Sequence, residues 1–241
     1  MNDNLLTLSG VHTHIGAYHI LHGVDLAVPK GQLTMLLGRN GAGKTTTLRT
    51  IMGLWHASEG RVRFGDKDIA AIHTPQIAEL GIAYVPENMG IFSDLTVKEN
   101  MLLAARGAKN AAQIDDTRLK WIFRLFPAVE KFWNHPAGKL SGGQKQMLAV
   151  SRAIVEPREL LLIDEPSKGL APVMINNMID AFAELKRSGV TILLVEQNIN
   201  FAQRLGDNVA VMDNGRVVHS GSMAAFSADA QLQQSLLGLA L

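Results

Sequence analysis

Cysteine is absent from this chain of 241 residues, and no apolar run approaches the roughly 18 residues that cross a bilayer as a helix. The missing cysteines exclude disulfides, thiol catalysis and thiolate metal sites, and they fit a reducing compartment. An excess of charge is also missing: 23 basic and 22 acidic residues leave a net charge of +1, which does not favour a nucleic-acid partner. The start, Met1-Asn2-Asp3-Asn4, lacks a signal peptide. We therefore expect a cytoplasmic protein that reaches a membrane only through a partner.

A glycine-rich stretch is the strongest motif, and it follows a predicted buried strand at Gln32 to Leu37. An apolar stripe at helical spacing begins after it at Leu48. A strand, a glycine-rich loop and a helix in this order predict a phosphate-binding loop, although a glycine-rich turn before a surface helix is the simpler alternative. We expect Lys44 to reach the β- and γ-phosphates of a nucleotide and the Thr45 hydroxyl to bind Mg²⁺. The candidate phosphate-binding residues are Gly38, Arg39, Asn40, Gly41, Ala42, Gly43, Lys44, Thr45 and Thr46.

Two adjacent carboxylates end a second apolar segment, which runs from Glu159 to Asp164 and predicts a strand covered on both faces. Asp164 and Glu165 then lie at the carboxyl end of a buried strand, where ligands bind in open α/β sheets. We expect Asp164 to take part in the Mg²⁺ shell and Glu165 to orient or deprotonate an attacking water. Acidic turn residues without a catalytic role are the alternative, which the phosphate loop disfavours.

The other periodic segments predict strands around this nucleotide site. Alternating apolar residues at Leu6 to Val11 and Val24 to Val28 predict two strands. Gly60 to Phe64 and Ile69 to Ile72 predict short strands around the turn Gly65-Asp66-Lys67, which indicates a small antiparallel element. Asp213-Asn214-Gly215-Arg216 predicts a two-residue hairpin turn near the end of the chain. Four histidines lie between Val11 and Val24 without metal-ligand spacing, so we interpret them as solvated or half-buried strand residues: His12, His14, His19 and His22.

Helical patterns fill residues 87–156, between the predicted strands. Thr96-Val97-Lys98-Glu99 predicts a capping box at the start of one helix, and Gly107 to Ile114 is predicted to break that helix. Asp115 to Phe126 predicts a second helix, which Pro127 interrupts. We therefore predict a single domain over 1–241, with a nucleotide-binding core of 1–86 and 157–241 and a helical sub-domain of 87–156.

The segment Leu140-Ser141-Gly142-Gly143-Gln144 again offers N–H groups and a hydroxyl to an anion at a helix start. Together with the phosphate loop and the paired carboxylates, it makes the sequence resemble the ATP-binding cassette family over essentially the whole chain. The resemblance implies a P-loop NTPase fold of the α/β class, with a mostly parallel core sheet, a small antiparallel β element and an inserted α-helical sub-domain. In that family the signature of one subunit closes over the ATP of another, so Ser141, Gly142, Gly143 and Gln144 are expected to contact a nucleotide.

Three departures from the usual pattern narrow the resemblance. Glu87 stands where most cassettes carry Gln, Ala171 where Asp is usual, and Gln197 where His is usual. In these positions the chain is similar to the shorter ATPase subunit of branched-chain amino acid importers and their relatives for urea and amides. The resemblance implies catalytic roles for Glu165, Gln197 and Glu87, and it adds Glu87 to Thr45 and Asp164 as an Mg²⁺ ligand.

The adenine contact is left open by the sequence. Relatives usually place Tyr where Ile15 stands, and Ile15 could pack on the purine, whereas His14 or Tyr18 could supply stacking instead.

The resemblance implies an importer ATPase that uses ATP and Mg²⁺ at the cytoplasmic face of the bacterial inner membrane, as a peripheral subunit. Its expected partners are two integral-membrane permease subunits, a second homologous ATPase in a heterodimer or homodimer, and indirectly a periplasmic solute-binding protein, with no nucleic acid. An export ATPase for lipid or polysaccharide, and a soluble cassette ATPase without a transport role, are the alternatives. A small-molecule P-loop kinase fits less well, because the chain shows no acceptor site.

Overall fold

The computed structural model describes residues 4–105, 110 and 113–238 of the chain. Its strands are β1 (Asn4–Ile15), β2 (Tyr18–Pro29), β3 (Leu33–Gly38), β4 (Ala57–Phe64), β5 (Lys67–Asp68), β6 (Ile82–Val85), β7 (Leu160–Asp164), β8 (Thr191–Glu196), β9 (Asn208–Asp213) and β10 (Arg216–Ser222). Its α-helices are α1 (Lys44–Ile51), α2 (Thr74–Glu79), α3 (Val97–Ala104), α4 (Asp116–Leu125), α5 (Pro127–Lys131), α6 (Gly142–Ile154), α7 (Pro172–Arg187), α8 (Ile199–Leu205), α9 (Met223–Ala228) and α10 (Ala230–Leu237).

Two sheets build the α/β fold that the sequence predicts. The larger has the strand order β10-β9-β3-β8-β7-β6, and all its neighbouring strands are parallel except the β9–β10 hairpin. The smaller is antiparallel and has the order β2-β1-β4-β5. The phosphate-loop strand β3 and the carboxylate strand β7 both pair with β8, so their carboxyl ends lie at one edge of the larger sheet.

The larger sheet is buried on both faces, which explains why its strands read as nearly continuous apolar runs. In β3, Leu33, Met35 and Leu37 pack into one hydrophobic cluster with the helical segment, whereas Leu36 packs into a second cluster with the antiparallel sheet. All six residues of β3 are buried. The phosphate loop therefore starts from a strand that is held on both sides.

One predicted strand is wrong. The return strand of the small hairpin is Lys67–Asp68, not Ile69 to Ile72, because Phe64 already pairs with Lys67 across a two-residue turn. The Asp68 side chain then accepts the Ala70 N–H at 3.0 Å, which bends the backbone away from the sheet. Ile69 is buried in the core, so its apolar character reflects packing after the turn.

Helices follow one another between β6 and β7, as the sequence predicts. The capping box of α3 is confirmed: Thr96 Oγ1 accepts the Glu99 N–H at 3.2 Å, and a Glu99 carboxylate oxygen accepts the Thr96 N–H at 2.8 Å. Pro127 begins α5 directly after α4. The predicted break at Gly107 and the start Met1-Asn2-Asp3 lie outside the described residues. Among the described helices, none is long and apolar enough to cross a bilayer.

Candidate nucleotide-binding site

The phosphate loop connects β3 to α1 with backbone conformations that only glycine adopts readily. Gly43 is the residue before α1 and has a φ of +104°. Gly38 has a φ of +150°, and a Cβ added there would lie 2.4 Å from the Met212 carbonyl oxygen of β9. Both positions therefore need glycine, and the loop is pressed against the neighbouring strand.

Lys44 is the cation of this loop, and its side chain is 4% exposed. Its Nζ donates hydrogen bonds to the carbonyl oxygens of Gly38 at 2.8 Å and Arg39 at 3.0 Å. Burial lowers the pKa of Lys44, while the nearby Glu165 and Asp164 carboxylates act in the opposite direction. The ammonium group is thus desolvated and fixed at the loop by two carbonyl oxygens. A bound anion there would favour its charged form.

Thr45 and Asp164 join the phosphate loop to the end of β7. Thr45 Oγ1 donates to Asp164 Oδ1 at 3.1 Å, and the Tyr84 hydroxyl of β6 donates to Asp164 Oδ2 at 3.3 Å. Burial raises the pKa of Asp164, and burial together with the Asp164 charge raises the pKa of Tyr84 to about 12. A hydroxyl and a carboxylate are hard oxygen ligands of the kind that Mg²⁺ binds, so the pair fits this ion.

Tyr84 was missed by the sequence analysis as a site residue. Its signal was present but indirect: Tyr84 lies in the apolar run Ile82-Ala83-Tyr84-Val85, directly before the Pro86-Glu87 pair. Only the pairing of Tyr84 with Leu162 places its ring beside Asp164, two residues further along β7.

Glu165 has a strained backbone, because its φ is +46° and it is not a glycine. Its N–H donates to the Val195 carbonyl at 3.0 Å, which holds this conformation at the end of β7. Oε1 accepts from Gln197 Nε2 at 2.5 Å and lies 3.7 Å from Lys44 Nζ. Oε2 lies 3.4 Å from Lys168 Nζ. The side chain is 9% exposed, so this turn aims a partly desolvated carboxylate into the cleft.

Gln197 links the end of β8 to the phosphate loop, because the same Nε2 also donates to Asn40 Oδ1 at 2.7 Å. Its neighbour Glu196 is buried and accepts N–H groups from Ser167 at 2.9 Å, Gln197 at 3.1 Å and Asn198 at 3.2 Å. Burial raises the pKa of Glu196, and these hydrogen bonds act against the shift. Glu196 therefore holds two backbone segments in place, the loop that follows Glu165 and the segment that contains Gln197. The sequence analysis did not anticipate this role.

A cleft of about 370 Å³ brings these groups together. Glu87 borders it, but its carboxylate contacts Lys168 Nζ at 2.5 Å, and its predicted role as an Mg²⁺ ligand stays a prediction. Ile20 of β2 also borders the cleft and was missed by the sequence analysis. The lining residues are Ile20, Asn40, Gly41, Gly43, Lys44, Thr45, Thr46, Glu87, Glu165 and Lys168.

The signature residues do not line this cleft. Ser141 is the N-cap of α6: its hydroxyl accepts the Gln144 N–H at 3.4 Å, and Gln144 Oε1 accepts the Ser141 N–H at 2.9 Å. Ser141 and Gly142 are exposed, whereas Gly143 is buried and a Cβ there would come within 2.5 Å of the Met174 side chain. The segment is thus a preformed helix start at the protein surface.

The three candidate adenine contacts surround the β1–β2 turn, where Ile15 pairs with Tyr18. Tyr18 is 76% exposed, whereas His14 stacks on His19 at 4.2 Å and its Nδ1 lies 3.1 Å from Ser58 Oγ. Tyr18 is therefore the candidate aromatic ring with the most free surface. The adenine contact itself stays a prediction for all three residues.

Comparison with known proteins agrees with this geometry. The sequence pattern described as "ABC transporter" matches residues 21–168, and the chain is 38% identical over 97% of its length to the whole of the high-affinity branched-chain amino acid transport ATP-binding protein BraG of Pseudomonas aeruginosa. This chain belongs to the ABC transporter family.

Other relatives of the cassette point in the same direction. The probable branched-chain amino acid transport ATP-binding protein LivF of Archaeoglobus fulgidus is 36% identical, over 85% of this chain and 86% of its own. An ATP-binding cassette of an ABC transporter in its ADP conformation superposes with a TM-score of 0.82 at 25% identity, over 98% of this chain and 99% of the other. A dimeric bacterial ABC transporter cassette gives 0.80 at 25% identity, over 90% and 98% of the two chains. The family resemblance inferred from the motifs is confirmed.

Proposed function

We propose that this cassette binds and hydrolyses Mg²⁺-ATP and powers the import of branched-chain amino acids or related small polar solutes through membrane subunits. The observation that carries the proposal is the convergence of Lys44, the Thr45–Asp164 pair and Glu165 in one cleft. The names of BraG and LivF support the choice of solute class.

Phosphate binding follows from the loop. Lys44 exchanges its two carbonyl partners for phosphate oxygens, and the first N–H groups of α1 point toward the same charge. Thr45 and Asp164 would hold Mg²⁺, which supplies charge neutralisation on the phosphates. Lys44, the N–H groups of α1 and the metal would compensate the negative charge that develops during phosphoryl transfer.

Water activation falls to Glu165. Its carboxylate accepts the proton of the attacking water, while the Gln197 amide keeps one of its oxygens oriented toward the loop. Since Gln197 also donates to Asn40, one amide group connects Glu165 to the phosphate loop. A glutamine cannot become cationic, so Lys44 and the metal would provide most of the positive charge.

The active unit in this proposal is a dimer with another cassette, for which the dimeric relative and the exposed helix start at Ser141 are the support. The helical part, 87–156, would present Ser141, Gly142, Gly143 and Gln144 to the nucleotide of the partner. The core of 1–86 and 157–241 would hold its own ATP. A heterodimer with a longer homologous ATPase is the form that the importer resemblance favours.

A groove of about 760 Å³ beside α3 and α6 is the proposed contact with one of the two membrane subunits. Among the described residues that line it, Arg152 is a partly exposed cation, so a segment with free acceptor oxygens would suit it. Met89 and the half-exposed Leu103 add apolar surface. A cytoplasmic helix of an integral-membrane subunit, whose last carbonyls are free, has this chemistry.

The experiment that tests the proposal is reconstitution of the cassette in lipid vesicles with its membrane subunits, its ATPase partner and the periplasmic solute-binding protein. We expect ATP-dependent accumulation of radiolabelled leucine or a related solute, which stops without Mg²⁺. Hydrolysis without uptake of any tested small solute, or ATP-dependent efflux, would contradict the import assignment. The location at the cytoplasmic face of the inner membrane is part of the same proposal.

A further inference from the structure

Lys168 contacts two carboxylates that border the cleft, those of Glu87 and Glu165. Its Nζ contacts Glu87 Oε1 at 2.5 Å and lies 3.4 Å from Glu165 Oε2. Glu87 follows β6 and Glu165 follows β7, so one ammonium group connects the ends of two neighbouring strands. The Lys168 side chain is 56% exposed, which leaves it free to move away.

The backbone around Lys168 is fixed although its side chain is not. The Lys168 N–H donates to the Glu165 carbonyl at 3.2 Å, and the preceding Ser167 N–H donates to the buried Glu196 carboxylate at 2.9 Å. The loop therefore holds the base of the lysine side chain next to the cleft whatever the Nζ contacts. The lysine therefore places a positive charge in the same cleft as Thr45, which with Asp164 is a proposed Mg²⁺ ligand.

We propose that Lys168 is a positioning residue that occupies the carboxylates Glu87 and Glu165 in the nucleotide-free cassette and competes with Mg²⁺ for Glu87. The inference rests on the proposed ATPase function. Lys168 Nζ already holds the Glu87 carboxylate that the metal would bind, so binding of the metal to Glu87 requires this ammonium group to leave. Its departure frees the Glu165 oxygen and lets Glu87 turn toward the metal, which couples metal entry to release of the proposed base.

The test measures how much Mg²⁺ strengthens nucleotide binding, with a fluorescent, non-hydrolysable ATP analogue and the full-length chain. The ratio of the dissociation constants in EDTA and in Mg²⁺ is compared between the wild type and Lys168→Gln. An exposed ion pair changes such an equilibrium by about two- to fivefold, so the ratio should rise by about that factor in Lys168→Gln. In a Glu87→Gln background the same lysine change should have a clearly smaller effect on the ratio, because the carboxylate for which the lysine and the metal compete is gone.

Two further variants separate charge from structure. Lys168→Arg keeps the cation and should keep the wild-type ratio within twofold, and Lys67→Gln, a lysine on the exposed strand β5, should leave the ratio unchanged. An unchanged or lower ratio in Lys168→Gln would overturn the competition, as would an Lys168→Arg variant that behaves like Lys168→Gln. Absence of analogue binding by the wild type in both conditions would instead contradict the proposed nucleotide function.

Discussion

Gln197 Nε2 lies 2.5 Å from Glu165 Oε1 and 2.7 Å from Asn40 Oδ1. One amide group therefore bonds the proposed base at the end of β7 and the phosphate loop after β3, although the three residues are far apart in the sequence. This contact makes the position of the base depend on the loop that would hold the phosphates.

Replacing Glu165 by Gln should separate binding from chemistry. The amide keeps the size of the side chain and an acceptor oxygen for Gln197, but it cannot take a proton from water. We expect ATP binding to stay within a few-fold of the wild type and hydrolysis to fall by about 10²- to 10⁴-fold, measured by phosphate release. ATP-bound dimers should accumulate in size-exclusion chromatography. Near-normal turnover would refute the role of Glu165.

Lys44→Ala should act at an earlier step. It removes the buried ammonium group and with it charge-assisted hydrogen bonds to the phosphates, each worth about 1.5–3 kcal/mol. We expect the affinity for ATP to fall by about 10- to 100-fold or more, measured by equilibrium binding of a fluorescent ATP analogue. Lys67→Gln is the control, since this exposed lysine lies in the β4–β5 hairpin. Tight binding by Lys44→Ala would show that the phosphates lie elsewhere.

Gln197→Ala tests whether the two sites of a heterodimer are equal. A histidine at the matching position of the partner could become cationic, because its ordinary pKa is about 6.5, whereas Gln197 contributes neutral hydrogen bonds worth about 1 kcal/mol each. We expect Gln197→Ala to lower ATP turnover by about fivefold and the matching change in the partner to lower it more. The assay is the purified four-subunit transporter in lipid with solute-loaded binding protein. Equal losses would indicate one symmetric unit.

Charged substitutions in the proposed docking groove and directly beside it should uncouple transport from hydrolysis. Of the apolar residues that follow Glu87, Phe92 is 50% exposed, whereas Ile91 is partly buried. Phe92 does not line the groove itself, but its ring lies 5.2 Å from the guanidinium of Arg152, which does. We expect Phe92→Asp and Leu103→Asp to abolish solute uptake in vesicles while basal ATP hydrolysis stays within twofold.

The matched control for these groove variants is Val218→Asp, which is similarly exposed. It lies on β10, at the edge of the larger sheet opposite β6, whose residues line the groove. It should leave both uptake and hydrolysis intact. Normal uptake by both groove variants would remove this surface from the docking proposal.

The buried Glu196 should make stability depend on pH. Because burial raises its pKa in the folded chain, the folded state keeps this proton at a pH where the unfolded chain has lost it. The contribution of Glu196 to stability is therefore complete below its ordinary pKa and is lost as the pH rises through the raised pKa. The slope reaches at most about 1.4 kcal/mol per pH unit.

Glu196→Gln should remove that slope, because an amide does not titrate. The amide oxygen can still accept the Ser167 N–H, so this hydrogen bond is kept. Urea unfolding of the wild type and the variant across this pH range gives the comparison, in which other carboxyl groups cancel. A constant difference in the free energy of unfolding between the two proteins would contradict the raised pKa.

The sequence by itself predicted four local features: the glycine-rich loop after β3, the carboxylates at the end of β7, the capping box at Thr96 and the Asn214-Gly215 hairpin turn. In the turn, both residues have positive φ values, which this pair of residue types favours. Each of these features depends on a few neighbouring residues and a fixed backbone geometry. Local pattern failed at Ile69 to Ile72, because an apolar residue buried after a turn looks like one buried in a strand.

Tertiary structure alone decided which side chains meet in the cleft. Strand order brings β3, β7 and β8 side by side, and only this order places Gln197, Glu165 and Asn40 within hydrogen-bond distance. The Lys168–Glu87 pair and the Tyr84–Asp164 contact depend likewise on the pairing of β6 with β7. Such contacts join residues that are distant along the chain, so no local pattern encodes them, and they exist only once the buried sheet has set its register.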